Sequence, residues 1–275
     1  MSDYLAHWGL VDRPFRLEDA ATFYMSSSHR RFVADFSQYV SSPTRSAHVL
    51  APRRSGLTSL LKWIAGLQGV ESTAVRVLVS EEGQCGDGSI VEYLCQSLDL
   101  PAVVSSEAGL KLVCEQIESD SHRDLSTLWL LDRPNPSLLR FAKELAEISG
   151  GLRLLIAGPH VIADDFRNHL GNHQDDHRDS ENPLTDASSK LIQLGSLAIA
   201  EVAEMLDTCL GEVGGDRRIF SETAVHLLHK LSGGRMGVIT GLAEESLRIA
   251  AQWMSREVTA EHVLFVFSDP LQQAA

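Results

Sequence analysis

The octapeptide Ala51-Pro52-Arg53-Arg54-Ser55-Gly56-Leu57-Thr58 has the length and setting of a phosphate-binding loop. In the pattern Gly-x-x-x-x-Gly-Lys-Ser/Thr, backbone amides at a helix amino terminus face the phosphates. A lysine neutralises the outer phosphates and the hydroxyl holds Mg²⁺. Here the second glycine (Gly56) and the hydroxyl (Thr58) are in place, and Arg54, Ser55 and Ser59 complete the candidate cradle. Ala51 replaces the first glycine and Leu57 replaces the lysine. Arg53 and Arg54 bring charge beside the loop, but middle residues of such loops point their side chains outward while the amides face the phosphate. A strand-turn-helix with Gly and Thr is also a common structural turn, so the string alone is weak.

A second segment raises its weight. Leu128–Asp132 is an apolar run ending in an aspartate, the form in which a strand-end carboxylate supports Mg²⁺ through water. Where a water-orienting glutamate would follow, the residue is Arg133. Taken apart from the loop, Asp132 reads equally well as an acid capping the turn at Pro134–Pro136. Two histidine groups carry less. His169, His173 and His177 recur every four residues, but Gly171, Asn172 and the surrounding acids disfavour a helix, so a solvated loop is the expectation. His226 and His229 share a helix face with no third ligand near them in sequence and read as surface histidines.

These residues need elements to hold them. Ala47–Ala51, Ala74–Ser80, Ser126–Asp132, Leu152–Gly158 and Lys190–Leu194 are short apolar runs that predict buried strands. His29–Ser41, Leu57–Leu67, Ser89–Leu98, Glu107–Ser119 and Ser137–Ser149 carry apolar residues at helical spacing. The alternation predicts a parallel sheet covered on both faces. It also puts the loop at the carboxyl end of the first strand and Asp132 at that of the third, side by side in the sheet. From Ser196 only helices follow: Ala198–Leu210, Ser221–Leu231, Met236–Met254 and Thr259–Phe267. They predict a separate all-α domain. Asp164–Asp186 holds seven acids and two arginines with no apolar period, and reads as a mobile insertion.

The chain has 275 residues, enough for one large domain and a small one. With 24 Lys plus Arg against 37 Asp plus Glu, its net charge is −13, a poor match for phosphate backbones or anionic membranes. The charge is uneven: residues 1–62 carry 8 basic and 5 acidic residues, so any anion-binding surface is expected there. No basic stretch leads into an apolar core at the amino terminus and no apolar run has membrane length, which predicts a cytoplasmic protein. Cys85, Cys95, Cys114 and Cys209 form no Cys-x-x-Cys pair and are expected to be free thiols.

Two end signatures are more specific than either central motif. Tyr4-Leu5-x-x-Trp8-Gly9-Leu10-x-x-x-Pro14-Phe15 is followed by Phe23-Tyr24-Met25-Ser26-x-Ser28-His29. Further on come Leu194-Gly195-x-Leu197, Leu231-Ser232-Gly233-Gly234 and Thr259-Ala260-Glu261-His262-Val263. From Tyr4 to about Val266 the chain resembles the AAA+ ATPases of the general-secretion-pathway protein A (ExeA-like) type. The resemblance implies a P-loop NTPase αβα domain over residues 1–195, with a five-stranded parallel sheet and the 164–186 insertion, followed by an all-α lid over 196–275. Its relatives power secretin assembly or act in transposition.

The departures bear on chemistry. The family's lid reads Gly-Gly-x-Pro-Arg, whose arginine senses the γ-phosphate, whereas this chain has Gly233-Gly234-Arg235-Met236-Gly237, with Gly237 in the arginine's place. Leu57, Arg133 and Gly237 thus occupy the places of lysine, glutamate and lid arginine. The polar sensor after the fourth strand reads Gly158-Pro159. The expectation is a pseudo-ATPase with negligible hydrolysis and weak or lost ATP binding, any ATP or ADP being held through Arg54, Ser55, Gly56, Thr58 and Ser59. Only Thr58 and Asp132 are left to hold Mg²⁺. Its partners would be other proteins, an active AAA+ paralogue or further copies of itself. Two rivals stand beside it: a slow ATPase with Arg53 or Arg54 in place of lysine, and a DNA-associated regulator.

Overall fold

The computed structural model describes residues 4–15, 24–66, 75–80, 89–101, 105–158, 189–216 and 218–268. Pro159, Cys85, the Asp164–Asp186 segment and its histidines His169, His173 and His177 lie outside the described residues.

Each predicted apolar run forms a strand: β1 Ser46–Leu50, β2 Val75–Ser80, β3 Ser126–Asp132, β4 Leu152–Ala157 and β5 Lys190–Gln193. All pairings are parallel, in the order β2-β3-β4-β1-β5. The expectation that the first and third strands lie side by side is therefore wrong, because β4 runs between them. The register still aligns their ends, since Val49 and Asp132 both pair with Ala157.

Among the described residues six helices come before β5: α1 Tyr4–Trp8, α2 Ser27–Val40, α3 Leu57–Gly66, α4 Ser89–Ser97, α5 Ser106–Ser121 and α6 Pro136–Ile148. α6 begins where Asn135 accepts the Leu138 amide, with Pro136 at its first position, the placement that proline's fixed φ and missing N–H favour. On one face of the sheet Trp129, Leu131, Leu154 and Ile156 pack with residues of α4, α5 and α6. Leu128, Leu130 and Leu155 alternate with them and are also fully buried, which is why β3 is apolar throughout rather than alternating. Trp129 places its indole N–H on Ser80 Oγ at 2.9 Å, so its polar atom is satisfied in the core.

After β5 come α7 Ile199–Glu212, α8 Glu222–Ser232, α9 Met236–Gln252 and α10 Ala260–Ser268. They share one apolar cluster with Tyr4 and Leu10. The amino-terminal signature has a structural reason. Trp8 Nε1 donates to the Leu247 carbonyl at 3.0 Å, the Tyr4 hydroxyl donates to Glu244, and the Arg248 guanidinium lies 5.1 Å from the centre of the Tyr4 ring. These aromatic residues fasten the start of the chain to α9.

By contacts the chain forms two compact units. One comprises Phe32–Ala51 and Leu61–Gln193 and holds the sheet. The other comprises Met1–Arg31, Pro52–Leu60 and Leu194–Ala275, grouping the candidate loop with the carboxy-terminal helices.

Candidate functional site

The loop sits in the helical unit, and residues 26–29 are built around it. Ser26 Oγ lies 2.6 Å from His29 Nδ1 and accepts the His29 amide at 3.2 Å, capping the start of α2. The Ser27 amide donates to Glu201 at 2.7 Å, and the Gly195 amide donates to Ser28 Oγ at 2.6 Å. Glu201, in the first turn of α7, also accepts the Ala198 amide at 2.9 Å. That is half of a capping box, since Ala198 has no side-chain acceptor with which to reciprocate. Burial raises the Glu201 carboxyl, but the amide bonds from Ala198 and Ser27, with nearby His29, outweigh it and hold the group below its ordinary value.

His29 is fully buried. Burial pushes its imidazole down to about 4, against the opposing pull of Glu201 and a hydrogen bond with the Ser55 backbone. At neutral pH it is an uncharged support for the loop. In the sequence His29 stands at the end of the signature and the start of a helical run; the serine three residues before it is the available sign of a capped, inward-facing histidine.

In the loop itself, Arg54 (φ 61°) and Gly56 (φ 90°) both take left-handed backbone, while Ser55 between them does not. Alternating hand is the backbone pattern of anion nests, although here the Ser55 amide donates to the Pro52 carbonyl at 3.2 Å. A non-glycine residue adopts this conformation at a cost of roughly 1–2 kcal/mol, which Arg54 bears. Gly56 also sits close to its surroundings: a Cβ there would lie a tight 3.1 Å from Met236 Sδ and in ordinary contact, 3.6 Å, with His29 Nε2. The Arg53 and Arg54 side chains are exposed, Ser55 is buried, and Leu57, Thr58 and Ser59 are half-buried.

Gly237 meets the same loop. Its amide donates to the Arg54 carbonyl at 2.8 Å. Arg235 turns the other way, with Nε on the Ser232 carbonyl at 2.7 Å. Of the two candidate lid histidines, His229 Nε2 lies 3.2 Å from the Leu197 carbonyl, and His226 lies 3.9 Å from Glu222.

Asp132 and Arg133 belong to the sheet unit. The Asp132 side chain is 3% exposed, and Arg133 Nε lies 3.6 Å from its Oδ1. Arg133 has φ 52°, and its amide donates to the Ala157 carbonyl at 2.6 Å. Among the described residues, no group of three or more His, Cys, Asp or Glu side chains is arranged to hold a metal ion. Cys95, Cys114 and Cys209 are free thiols, and burial raises the first and third above the ordinary thiol value. No described helix is long and apolar enough to cross a membrane.

The loop runs directly into the start of α3, whose first amides are the groups that suit a phosphate. Leu57 offers no cation to accompany them.

No family model matches the chain, and no curated protein matches it. Solved structures do. A Drosophila ORC structure, bound to DNA, aligns over 99% of this chain and 68% of its own at 13% identity, with a TM-score of 0.61. The Aeropyrum pernix ORC2 protein, in ADPNP-ADP complexes, aligns over 94% and 72% at 13% identity and TM-score 0.60. The Thermotoga maritima RuvB Holliday junction branch migration motor aligns over 93% and 72% at 11% identity and TM-score 0.52. At such identities the likeness speaks to the fold. Together with the parallel sheet and the helices after β5, it shows that this chain has an AAA+-type αβα fold with a small all-α lid domain.

Proposed function

We propose that this protein is a pseudo-ATPase of AAA+ type: its ATP binding is weak or lost, its hydrolysis is negligible, and it acts as a regulatory or assembly partner of other proteins. Those partners are an active AAA+ paralogue or further copies of this chain. The finer likeness to the general-secretion-pathway protein A family is part of this proposal.

The observation that carries the reading is Arg133. A positioned carboxylate that orients water contributes about 10²–10⁴ in rate. This chain has a cation in that place, turned onto Asp132 at 3.6 Å. The acid that would support Mg²⁺ is thus already offset by its neighbour. The amides of Gly56 and Leu57 and the Thr58 hydroxyl would hold a diphosphate; the Ser55 amide is taken by the Pro52 carbonyl at 3.2 Å. Leu57 leaves the outer phosphate without a cation.

Calorimetric titration with ATP and ADP, with and without Mg²⁺, alongside steady-state turnover, tests the proposal. The expected result is weak binding with turnover far below that of AAA+ motors. Ordinary AAA+ turnover abolished by Asp132→Ala would overturn it and make Arg53 or Arg54 the stand-in for lysine.

The exposed pair Arg53 and Arg54 favours a second reading, a DNA-associated regulator; of the similar structures, the Drosophila ORC is bound to DNA and RuvB is a Holliday junction branch migration motor. The net charge of −13 weighs against it. Band-shift titrations at two salt concentrations decide: contacts to phosphate weaken steeply with salt, and binding that is absent or salt-independent removes this reading.

A further inference from the structure

We infer that Gly237 and Arg54 form a main-chain latch that fixes the start of α9 on the loop without nucleotide, so that the helical unit does not distinguish ATP from ADP. The second half rests on the reading of residues 51–58 as a nucleotide loop; the latch itself does not.

The first amides of a helix have no partner within it. The residue before α9, Arg235, supplies no side-chain cap. The Arg54 carbonyl takes that role, accepting the Gly237 amide at 2.8 Å. The approach depends on a residue with no side chain. A Cβ at position 237 would lie 3.2 Å from the Arg54 carbonyl oxygen and 3.4 Å from the Arg54 Cβ. A side chain at 237 would therefore press the two backbones apart by a few tenths of an ångström, so a side-chain phosphate sensor there would lengthen the latch.

Neighbouring contacts hold the latch in register. Met236 packs beside Gly56, and the Leu197 amide donates to the Gly234 carbonyl at 2.8 Å just before α9. His29 supports the opposite side through Ser55. Arg235, in the turn before α9, is held by the Ser232 carbonyl. The link between loop and helix is therefore made of neutral groups, and its strength does not depend on how many phosphates are bound or on ionic strength.

Amide hydrogen exchange by NMR on the full chain tests it, because an amide in the first turn of a helix ordinarily exchanges fast. The Gly237 amide is expected to be protected at least ~10-fold without nucleotide, and ADP or ATP should change that by less than about twofold. The two nucleotides should bind within about threefold of each other. Gly237→Ala should lose the protection, while Gly241→Ala on the same helix, where an added Cβ meets nothing within 4 Å, should keep it. Arg54→Gly should also keep it, since the acceptor is main chain; this variant guards against an unfolded Gly237→Ala. Free exchange at Gly237 without nucleotide, protection that appears only with ATP, or its loss in Arg54→Gly would overturn the latch. Rapid ATP turnover in the same samples would overturn the proposed function and leave the exchange result standing.

Discussion

Arg133 turns its guanidinium back onto the carboxylate of its own neighbour, with Nε 3.6 Å from Asp132 Oδ1. The return is built into the backbone: φ of 52° and an amide bond to the Ala157 carbonyl reverse the chain as it leaves the sheet. A cation is thereby placed beside a buried acid at the position where the family resemblance expects a second carboxylate. The same pair sets the first prediction.

Leu57→Lys should tighten ATP binding roughly tenfold or more, since a charge-assisted hydrogen bond contributes about 1.5–3 kcal/mol. On the proposed function, hydrolysis should remain negligible in that single variant. Leu57→Lys combined with Arg133→Glu should recover slight turnover. Equal ATP affinity in wild type and Leu57→Lys, measured by calorimetry, would count against a nucleotide at this loop.

Gly234→Ala should be severely destabilising. Its φ is 72°, and a Cβ there would stand 2.4 Å from the Leu197 carbonyl oxygen, a contact only backbone movement relieves. We expect a loss of about 2–4 kcal/mol from strain and overpacking. Gly241→Ala, exposed within α9, should instead gain up to about 1 kcal/mol from helix propensity. Urea unfolding of the two variants side by side checks the contrast.

Arg54→Gly should stabilise the protein by about 1 kcal/mol. The left-handed backbone at Arg54 (φ 61°) costs an ordinary residue roughly 1–2 kcal/mol, and glycine's greater freedom in the unfolded chain returns part of that. A melting temperature below that of wild type would show that the exposed arginine makes a contact worth more than the strain.

Stability should fall as pH drops below neutrality because of His29. Its folded value, about 4, lies below the ordinary 6.5, so the fold favours the neutral ring. That contribution is fully present above about pH 6.5 and is lost as pH falls from there towards 4. The linked free energy is on the order of 3 kcal/mol over the whole window. His262 is shifted in the same direction by its own burial, so the measure is the difference between wild type and His29→Gln. The variant should show a flatter dependence between pH 5 and 7 in urea unfolding; parallel curves would remove His29 as the source.

The local pattern of the chain was readable without coordinates. Five apolar runs became five strands within a residue or two of their expected ends, and the helical periods of residues 137–149 and 236–254 became α6 and α9. Strand and helix periodicity follow from backbone geometry acting over a few residues, so composition in a short window suffices.

What the sequence alone left open depends on residues far apart in the chain meeting. Strand order is one case: crossovers of similar length would allow β3 beside β1, and the packed sheet puts β4 between them. Gly237 is another. Read along the chain it is a missing arginine; in the fold it is the residue whose lack of a side chain lets its amide reach the Arg54 carbonyl at 2.8 Å. His29 likewise passes from signature letter to buried support only once Ser55 and Glu201 are brought against it. Periodicity determines which face of an element is apolar, but which elements meet, and which atoms then compete for one space, is decided by close packing of the whole.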